Sequence, residues 1–365
     1  MNLDLSEEIS AGALDRAHST KYPWEAAGLP PKQGRLERTL RQYFGLLVGV
    51  ASIVGIGLVG ALPAAAQEAG LPKLIKIVVP FAPAGSNDLF ARALAQKLTA
   101  KLGINVIVEN KAGAGGSIGA DAVARAVPDG STLLIASVSF ASSAAMNPNL
   151  PFDPITSFVP VAMISKGPMI LVVGNKTPYM TTAQLIAATK NPKNTINYGS
   201  SGVGSIGHMS GELFKSVSAT SALHVPFQGM GPAVIAMMSG SIDYMITTMA
   251  SVGGQLRAGQ IRPIAVTSTE RSKFFPGLPT VGESIPGYSV DVWWSILAPA
   301  KTPKSIVDRL NSEIRSVTNE PDLVKLFAQE ATEPTTLTAD QTASYVNAEI
   351  NRWKKVARES NITVD

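Results

Sequence analysis

The sequence predicts an α/β protein built from two lobes. Its 365 residues are too many for one ordinary domain and suit two domains of roughly 100–200 residues each. Hydrophobic residues make up 45% of the chain and charged residues 16%, a balance typical of a compact globular protein. Strand-like and helix-like segments alternate from residue 75 to 299, and no linker-like stretch interrupts them. We therefore expect two α/β lobes between which the chain passes more than once.

The first half of the alternation begins with an apolar strand over residues 75–80, which ends at a proline. A turn leads into a helix that starts near Asp88 and carries leucines four residues apart on one face. Asn87 or Asp88 is the expected N-cap, because their side-chain oxygens accept hydrogen bonds from free N–H groups at a helix start. A strand, a helix after a glycine-rich turn, and a third strand follow at 105–109, 118–126 and 132–136. This order predicts parallel pairing with right-handed crossovers.

The second half repeats the rhythm. Strands are predicted over residues 169–173, 196–198, 222–225, 242–247, 261–267 and 290–299, and helices over 182–190, 207–217, 232–239 and 252–258. Three mainly helical segments close the chain, and the last has an apolar face made of Val346, Ile350, Trp353 and Ala357.

Composition excludes several functional classes. The chain has no cysteine, which excludes disulfide scaffolds, thiol catalysis and Cys-ligated iron–sulfur clusters. Its 3 histidines are too few for a His-rich metal site. The net charge of +4 is spread thinly, without a block of Lys and Arg, so nucleic acid is not an expected partner. We expect neither a metal nor a cofactor.

Residues 1–66 predict an export signal behind an N-terminal extension. Residues 44–62 are apolar throughout, basic residues precede them, and the small residues Ala64 to Ala66 follow. This pattern is typical of a secretory signal cleaved after Ala66. The alternative is an uncleaved membrane anchor, because a run of this length nearly spans a bilayer core. Both interpretations place residues 67–365 outside the cytoplasm.

Two turns between a strand and a helix are candidate anion sites, and the first covers residues 81–88. Pro83 stiffens this turn, Gly85 lets the backbone approach a ligand, and Ser86 and Asn87 add polar groups. The N–H groups at a helix start carry a partial positive charge and bind carboxylate or phosphate without help from Arg or Lys. The alternative is an ordinary turn before a capped helix.

The second turn, residues 198–208, contains Gly202, Gly204 and Gly207 in the spacing of a dinucleotide fingerprint. Residues 222–232 hold no Asp or Glu to bind a ribose, so a dinucleotide is not the expected ligand. Ser200, Ser201 and Ser205 are better interpreted as neutral hydrogen-bonding groups beside a helix start.

An exported α/β hydrolase is the alternative from the enzyme class. His208 or His224 would then activate a loop serine, but the sequence shows neither a nucleophile elbow nor an acidic residue to orient the histidine. A membrane-anchored interaction module without a ligand is a third possibility.

The combination of short motifs resembles one family. The motifs occur in this order: V-P-F-A-P-A-G-S-N-D (79–88), V-E-N-K-A-G-A-G-G-S-I-G-A-D (108–121), P-D-G-S-T-L-L (128–134), L-P-F-D-P (150–154), I-N-Y-G-S-S-G-V-G-S (196–205), H-V-P-F-Q-G (224–229) and L-A-P-A-K-T-P (297–303). Together they resemble the extracytoplasmic solute-binding receptors of tripartite tricarboxylate transporters, also called the Bug family, over nearly all of 72–365. Each motif is weak alone, and the ordered set is specific.

The resemblance implies a periplasmic-binding-protein-like Venus flytrap, type II, with two doubly wound lobes that close on a small organic carboxylate. Lobe 1 would comprise residues 67–170 and 292–365, and lobe 2 residues 171–291. The implied partners are membrane transporter subunits or a sensor, and the implied receptor is a periplasmic, non-catalytic monomer. The implied ligand contacts are the turn Phe81, Pro83, Ala84, Gly85, Ser86, Asn87 and Asp88, the loop with Ser137, Ser139 and Phe140, the turn Ser200, Ser201, Gly202, Gly204 and Ser205, and Phe227, Thr247, Thr248 and Trp293.

Two positions depart from the family's pattern. Ala84 stands where relatives commonly have a glycine, which narrows the backbone freedom of the first turn. Thr247 stands where relatives often have an acidic residue. Without that charge an ammonium group has no partner, so a plain or aromatic carboxylate is expected rather than an amino acid.

Overall fold

The computed structural model describes residues 70–83 and 85–362, so the predicted export signal lies outside the described residues. The strands are β1 (Leu74–Val79), β2 (Asn105–Asn110), β3 (Thr132–Ser137), β4 (Phe158–Pro168), β5 (Ile170–Gly174), β6 (Asn197–Ser200), β7 (Leu223–Pro226), β8 (Tyr244–Thr247), β9 (Ile261–Val266), β10 (Asp291–Pro299) and β11 (Glu333–Pro334). The α-helices are α1 (Ser86–Leu102), α2 (Ser117–Ala124), α3 (Val138–Met146), α4 (Thr182–Lys190), α5 (Ile206–Ser218), α6 (Met230–Ser239), α7 (Met249–Arg257), α8 (Val281–Ser284), α9 (Lys304–Thr318), α10 (Pro321–Gln329) and α11 (Ala339–Glu359). In the described part of the chain, no helix is both long enough and apolar enough to span a bilayer.

The first sheet has 6 strands in the order β11-β4-β10-β3-β1-β2. β1 is parallel to β2 and to β3, as the alternation predicts, whereas β10 is antiparallel to β3 and β4. Because the carboxyl ends of parallel strands meet at one edge of a sheet, the turns after β1 and β2 and the start of α3 lie side by side.

The second sheet has 5 strands in the order β7-β6-β8-β5-β9. β6 is parallel to β7 and β8, and β5 is antiparallel to β8 and β9. The turn after β6 is glycine-rich and leads into α5, so each sheet offers a set of helix starts at its carboxyl edge.

The chain passes from the first sheet to the second between β4 and β5 and returns between β9 and β10. Thr267, which is fully buried, ties the two passages together. Its hydroxyl group accepts a 2.8 Å hydrogen bond from the N–H of Met169 and donates one of 2.6 Å to the carbonyl of Val290. The two crossing segments are therefore bonded to each other where the sheets join.

Helix α11 packs its apolar face into the core of the first lobe. The predicted apolar face of this helix is confirmed, because Val346, Ile350, Trp353 and Ala357 are all buried. Thr338 and Gln341 form a reciprocal capping box at its start, which satisfies two backbone N–H groups there.

The structure corrects the predicted elements at three places. Neither Asn87 nor Asp88 caps α1, since the helix begins at Ser86 and its N-cap is Gly85. Residues 137–140 are not a loop, because α3 begins at Val138. The long strand β4 is absent from the predicted elements. Its side chains are buried on both faces, so the sequence lacks the alternation that marks a half-buried strand.

Candidate ligand-binding site

A cavity of about 760 Å³ lies between the carboxyl edges of the two sheets. Such a volume is in the range of small-molecule sites. The turns after β1 and β2, the helix α3 and the segment after α3 supply one wall, and the turn after β6 supplies the opposite wall. The lining residues are Phe81, Ala114, Gly115, Ser117, Ser139, Ser142, Ser143, Met146, Asn147, Asn149, Leu150, Ser201, Val203, Gly204 and Ser205.

The described lining of this cavity carries no charged side chain. Instead, three helices begin at its wall: α2 at Ser117, α3 with Ser139 in its first turn, and α5 behind its N-cap Ser205. No side chain caps α2 or α3. The positive ends of three helix dipoles therefore lie at a space lined by hydroxyl and amide groups, an arrangement that attracts anions.

The turn after β6 is held in shape by its own hydrogen bonds. Gly202 and Gly204 have φ angles of 130° and 78°, which strongly favour glycine. The hydroxyl group of Ser205 donates to the carbonyl of Gly202 at 2.8 Å, and Ser200 Oγ accepts from the N–H of Gly202 at 3.2 Å. Ser200 and Ser205 thus shape the turn, while Ser201 lies at the cavity wall.

Two stacked histidines support this turn from behind. The rings of His208 and His224 lie 3.8 Å apart and nearly parallel. His208 Nδ1 accepts the N–H of Gly204 at 3.0 Å, so this ring nitrogen carries no proton. Burial lowers the pKa of both rings. For His224, burial and the neighbouring His208 together lower the pKa to about 4. Both rings are therefore neutral at pH 7.

Among the described residues, the Ser200–His224 contact is the arrangement that fits the hydrolase alternative. The Oγ atom of Ser200 lies 2.7 Å from Nε2 of His224. However, Ser200 is only 1% exposed, and in the described part of the chain neither imidazole is hydrogen-bonded to a carboxylate. A nucleophile needs access to its substrate and an oriented base, and this serine has neither.

The start of α1 is built differently from the other helix starts. Ser86 Oγ donates a 2.6 Å hydrogen bond to Glu330, and Asp88 is paired with Arg92 and with Asn110. Asn87 Oδ1 accepts the indole N–H of Trp294 at 2.7 Å. Its Nδ2 atom is buried and has no partner among the described residues. An unsatisfied buried donor next to a helix start is unfavourable unless a water or a ligand accepts its hydrogen bond.

Of the expected ligand contacts, the cavity brings together Phe81, Ser139, Ser201, Gly204 and Ser205. Ala84 lies outside the described residues. The others do not line this cavity: Pro83, Gly85, Ser86, Asn87, Asp88, Ser137, Phe140, Ser200, Gly202, Phe227, Thr247, Thr248 and Trp293.

Trp293, which the resemblance implies as a ligand contact, lies in the core instead. Trp293 is fully buried, and its indole nitrogen lies 3.3 Å from Glu349 on α11. Neighbouring residues of a strand point to opposite faces, so Trp294 is the tryptophan on the side of α1. Phe140 does not line the cavity either and packs against Phe152 and Phe158.

Sequence reasoning missed a group of polar residues in the wall. They follow β2 and β3: Gly115, Ser117, Ser142, Ser143, Asn147 and Asn149. The glycine-rich turn after β2 is visible in the sequence as a turn but not as a site. Ser142 and Ser143 escape notice without α3, because only a helix brings them to the same face as Ser139.

Two α/β lobes and a cavity between their helix starts define a solute-binding protein with the periplasmic-binding-protein fold. A sequence model of the tripartite tricarboxylate transporter family receptor matches residues 90–362, and the chain belongs to this family. The resemblance stated from the sequence motifs is thereby confirmed.

Several relatives are similar over most of their length. The chain is 35% identical to protein BugT of Bordetella pertussis over 289 residues, which are 78% of this chain and 89% of BugT. The solved structure of R. palustris Rpa4515 with adipate has 32% identity and a TM-score of 0.68, covering 80% of this chain and 98% of that one. The structure of MatC from Rhodopseudomonas palustris with bound malate has 29% identity and a TM-score of 0.64, and the match covers 78% of this chain and 98% of MatC.

Proposed function

We propose that this protein is a periplasmic receptor that captures a small organic carboxylate between its lobes and delivers it to membrane transporter subunits or to a sensor. The observation that carries the proposal is the cavity without charged side chains, at which three helices begin. Helix starts and hydroxyl groups bind a carboxylate without a cationic side chain, and such binding is readily reversible. A receptor that must release its cargo needs this property.

The same wall supports a class of ligand. No Asp or Glu of the described residues lines the cavity, so an ammonium group would lose its hydration there without gaining a counter-charge. Thr247 is buried and offers no anionic group. We therefore propose a plain carboxylate, aliphatic or aromatic, in preference to an amino acid.

We also propose that the lobes comprise residues 67–170 with 292–365 and residues 171–291, and that they close over the ligand. The two crossing segments joined by Thr267 supply the hinge. Closure would exclude water and strengthen each hydrogen bond to the carboxylate. In this proposal the protein acts as a monomer and catalyses no reaction, and the burial of Ser200 supports the second point.

The test is a thermal-shift screen followed by calorimetry. Purified protein is unfolded, dialysed and refolded to remove bound molecules, and then tested with adipate, malate, benzoate and glutamate. A ligand at a hundred times its dissociation constant adds about 2.7 kcal/mol to the unfolding free energy, which raises the melting midpoint by several degrees. A shift with adipate, malate or benzoate and none with glutamate is expected. A panel without any shift, or cleavage of an ester analogue by the protein, would contradict the proposal.

A further inference from the structure

A second cavity, of about 800 Å³, is formed by the end of α3, the segment that follows it and the end of α11. The whole L-P-F-D-P motif, residues 150–154, belongs to its lining. The lining residues are Ala144, Ala145, Met146, Asn147, Pro148, Leu150, Pro151, Phe152, Asp153, Pro154, Lys354, Ala357, Arg358, Asn361 and Ile362. All of them belong to segments around the first sheet, so this cavity does not lie between the lobes. Its volume is in the range of small-molecule sites.

The buried part of this lining is apolar. Ala144, Met146, Ala357 and Ile362 are each at most 8% exposed. Ile362 belongs to the lining because Asn361 has a left-handed φ of 54° after the end of α11, and the N–H of Ile362 then donates to the carbonyl of Ala357 at 2.8 Å. An apolar group that contacts these side chains is removed from water, which is favourable.

Two exposed cationic side chains line the same cavity. Lys354 and Arg358 are four residues apart on α11 and therefore lie on one face of the helix, where like charges repel each other. Neither side chain forms a hydrogen bond or an ion pair with another of the described residues. The neighbouring Lys355, in contrast, pairs with Glu359 at 3.9 Å. An anion in the cavity would reduce the repulsion between Lys354 and Arg358.

The described lining contains a single carboxylate, that of Asp153. Its Oδ1 atom accepts the N–H groups of Ile155 at 2.8 Å and of Thr156 at 2.7 Å. The N–H groups of Thr156 and Ile155, and Lys354 to a smaller extent, lower the pKa of Asp153, so this group is ionised at pH 7. Two cations and one carboxylate leave the lining with a net positive charge.

We infer that the second cavity binds an amphipathic organic anion, with its apolar body against the buried side chains and its anionic group at Lys354 and Arg358. An apolar wall with a few polar groups that fix the orientation of the ligand is the usual composition of a small-molecule site. Lys and Arg bind carboxylate or sulfonate through charge-assisted hydrogen bonds. The candidate ligand cavity between the lobes has no charged side chain in its described lining, so the two sites differ in chemistry.

The two cavities are neighbours, because Met146, Asn147 and Leu150 line both of them. A bound probe must therefore be assigned to one of the two. Ser139 lines only the cavity between the lobes, whereas Lys354 and Arg358 line only the second cavity. Substitutions at these three positions distinguish the two sites.

The experiment titrates the protein with anilinonaphthalene sulfonate, an anion with an apolar ring system whose fluorescence increases on binding. We expect one saturable site. Its affinity should fall at least about tenfold in the double variant Lys354→Gln, Arg358→Gln, since two charged donors are lost. Phenylnaphthylamine, the neutral counterpart without the sulfonate, should bind at least about tenfold more weakly than the anion for the same reason.

Two controls use residues outside the second cavity. The double variant Lys325→Gln, Lys355→Gln removes the same net charge from exposed positions that do not line the cavity, so its affinity for the probe should be unchanged. Ser139→Asp places a negative charge in the cavity between the lobes and should also leave the affinity unchanged.

The absence of a saturable site would overturn the inference, and so would unchanged affinity in the double variant at Lys354 and Arg358. An equal loss in the Lys325 and Lys355 control would show attraction by net charge alone, and a loss in Ser139→Asp would place the probe between the lobes; either result contradicts the inference. If the first double variant fails to fold, unchanged affinity in both Lys354→Gln and Arg358→Gln overturns it. The inference does not depend on the proposed function, which the carboxylate panel tests separately.

Discussion

The indole N–H of Trp294 donates a 2.7 Å hydrogen bond to Oδ1 of Asn87, across 207 positions of the sequence. Only the carbonyl oxygen of an amide can accept this bond, so the orientation of the Asn87 side chain is determined and Nδ2 becomes its free donor. β10 thereby controls a polar group at the start of α1. Trp294 therefore fixes the orientation of Asn87, whereas Trp293 supports the core.

Replacing each tryptophan separates these two roles. We expect Trp294→Phe to lower the unfolding free energy by about 1–2 kcal/mol through the lost buried hydrogen bond, while its edge contact with Phe90 is kept. Ligand affinity should also fall, because Asn87 is then free to rotate. Trp293→Phe loses a comparable bond to Glu349 and serves as the control. Denaturation measures the unfolding free energy of the two variants, and calorimetry measures their affinity for the ligand. Equal affinity in the two variants would contradict the separate roles of the two tryptophans.

A negative charge in the wall should remove binding while leaving the fold intact. Ser139 lies in the first turn of α3, where an acidic side chain is favourable for the helix. We expect Ser139→Asp to keep or raise the melting midpoint and to weaken carboxylate binding at least about tenfold by repulsion. Ser139→Ala is the control, with a smaller loss of affinity. Unchanged affinity in Ser139→Asp would show that the carboxylate binds elsewhere.

The glycine turn should tolerate no side chain at its left-handed position. Gly204 has a φ of 78°, so Gly204→Ala should destabilise the protein by about 1–2 kcal/mol and weaken binding. Gly231, in the first turn of α6, has no left-handed φ, and the space that an added methyl group would occupy is open. Gly231→Ala should therefore change the unfolding free energy by less than about 0.5 kcal/mol. Thermal and chemical unfolding measure the loss of unfolding free energy in each variant. Similar losses in Gly204→Ala and Gly231→Ala would refute the role of backbone geometry.

Acid should weaken the fold through His224. Burial and the neighbouring His208 lower the pKa of His224 in the folded state to about 4, below its ordinary value of 6.5. Between pH 4 and 6.5 the unfolded chain therefore binds more protons than the folded protein does. The contribution of His224 to the unfolding free energy is complete above pH 6.5 and falls as the pH drops towards 4. Melting midpoints from about pH 7.5 to 4 measure this loss. His224→Gln should flatten the curve in that window, and an equally steep curve would assign the loss to other groups.

The proposed hinge should depend on the hydroxyl group of Thr267. Thr267→Val keeps the shape of the side chain but leaves the N–H of Met169 and the carbonyl of Val290 without this partner. We expect a loss of about 1–3 kcal/mol in unfolding free energy, since both groups are buried. Thr302→Val, which removes a single bond to the carbonyl of Pro299, is the milder control. A larger loss at Thr302 than at Thr267 would contradict the importance of the hinge bonds.

Most elements were predictable because periodicity and turn residues are local properties of a sequence. The strand β1, the helix α1 and the buried face of α11 follow from spacing alone. The turn after β6 could be recognised from its glycines in the sequence, because the positive φ angles of Gly202 and Gly204 favour glycine at these positions. The ordered motifs also sufficed to identify the family.

The tertiary structure decided which of these groups meet. Ser86 and Glu330 are separated by 244 positions, and no local pattern shows that the serine bonds to a protein carboxylate. Strand alternation predicts that Trp293 and Trp294 point in opposite directions, but the packing of α1 and α11 determines which of them lies beside Asn87. The sequence alone determined most of the elements and the family, because these depend on local spacing. Contacts between distant segments arise only when the sheets assemble, so the pairing of polar groups around the cleft was decided by the fold.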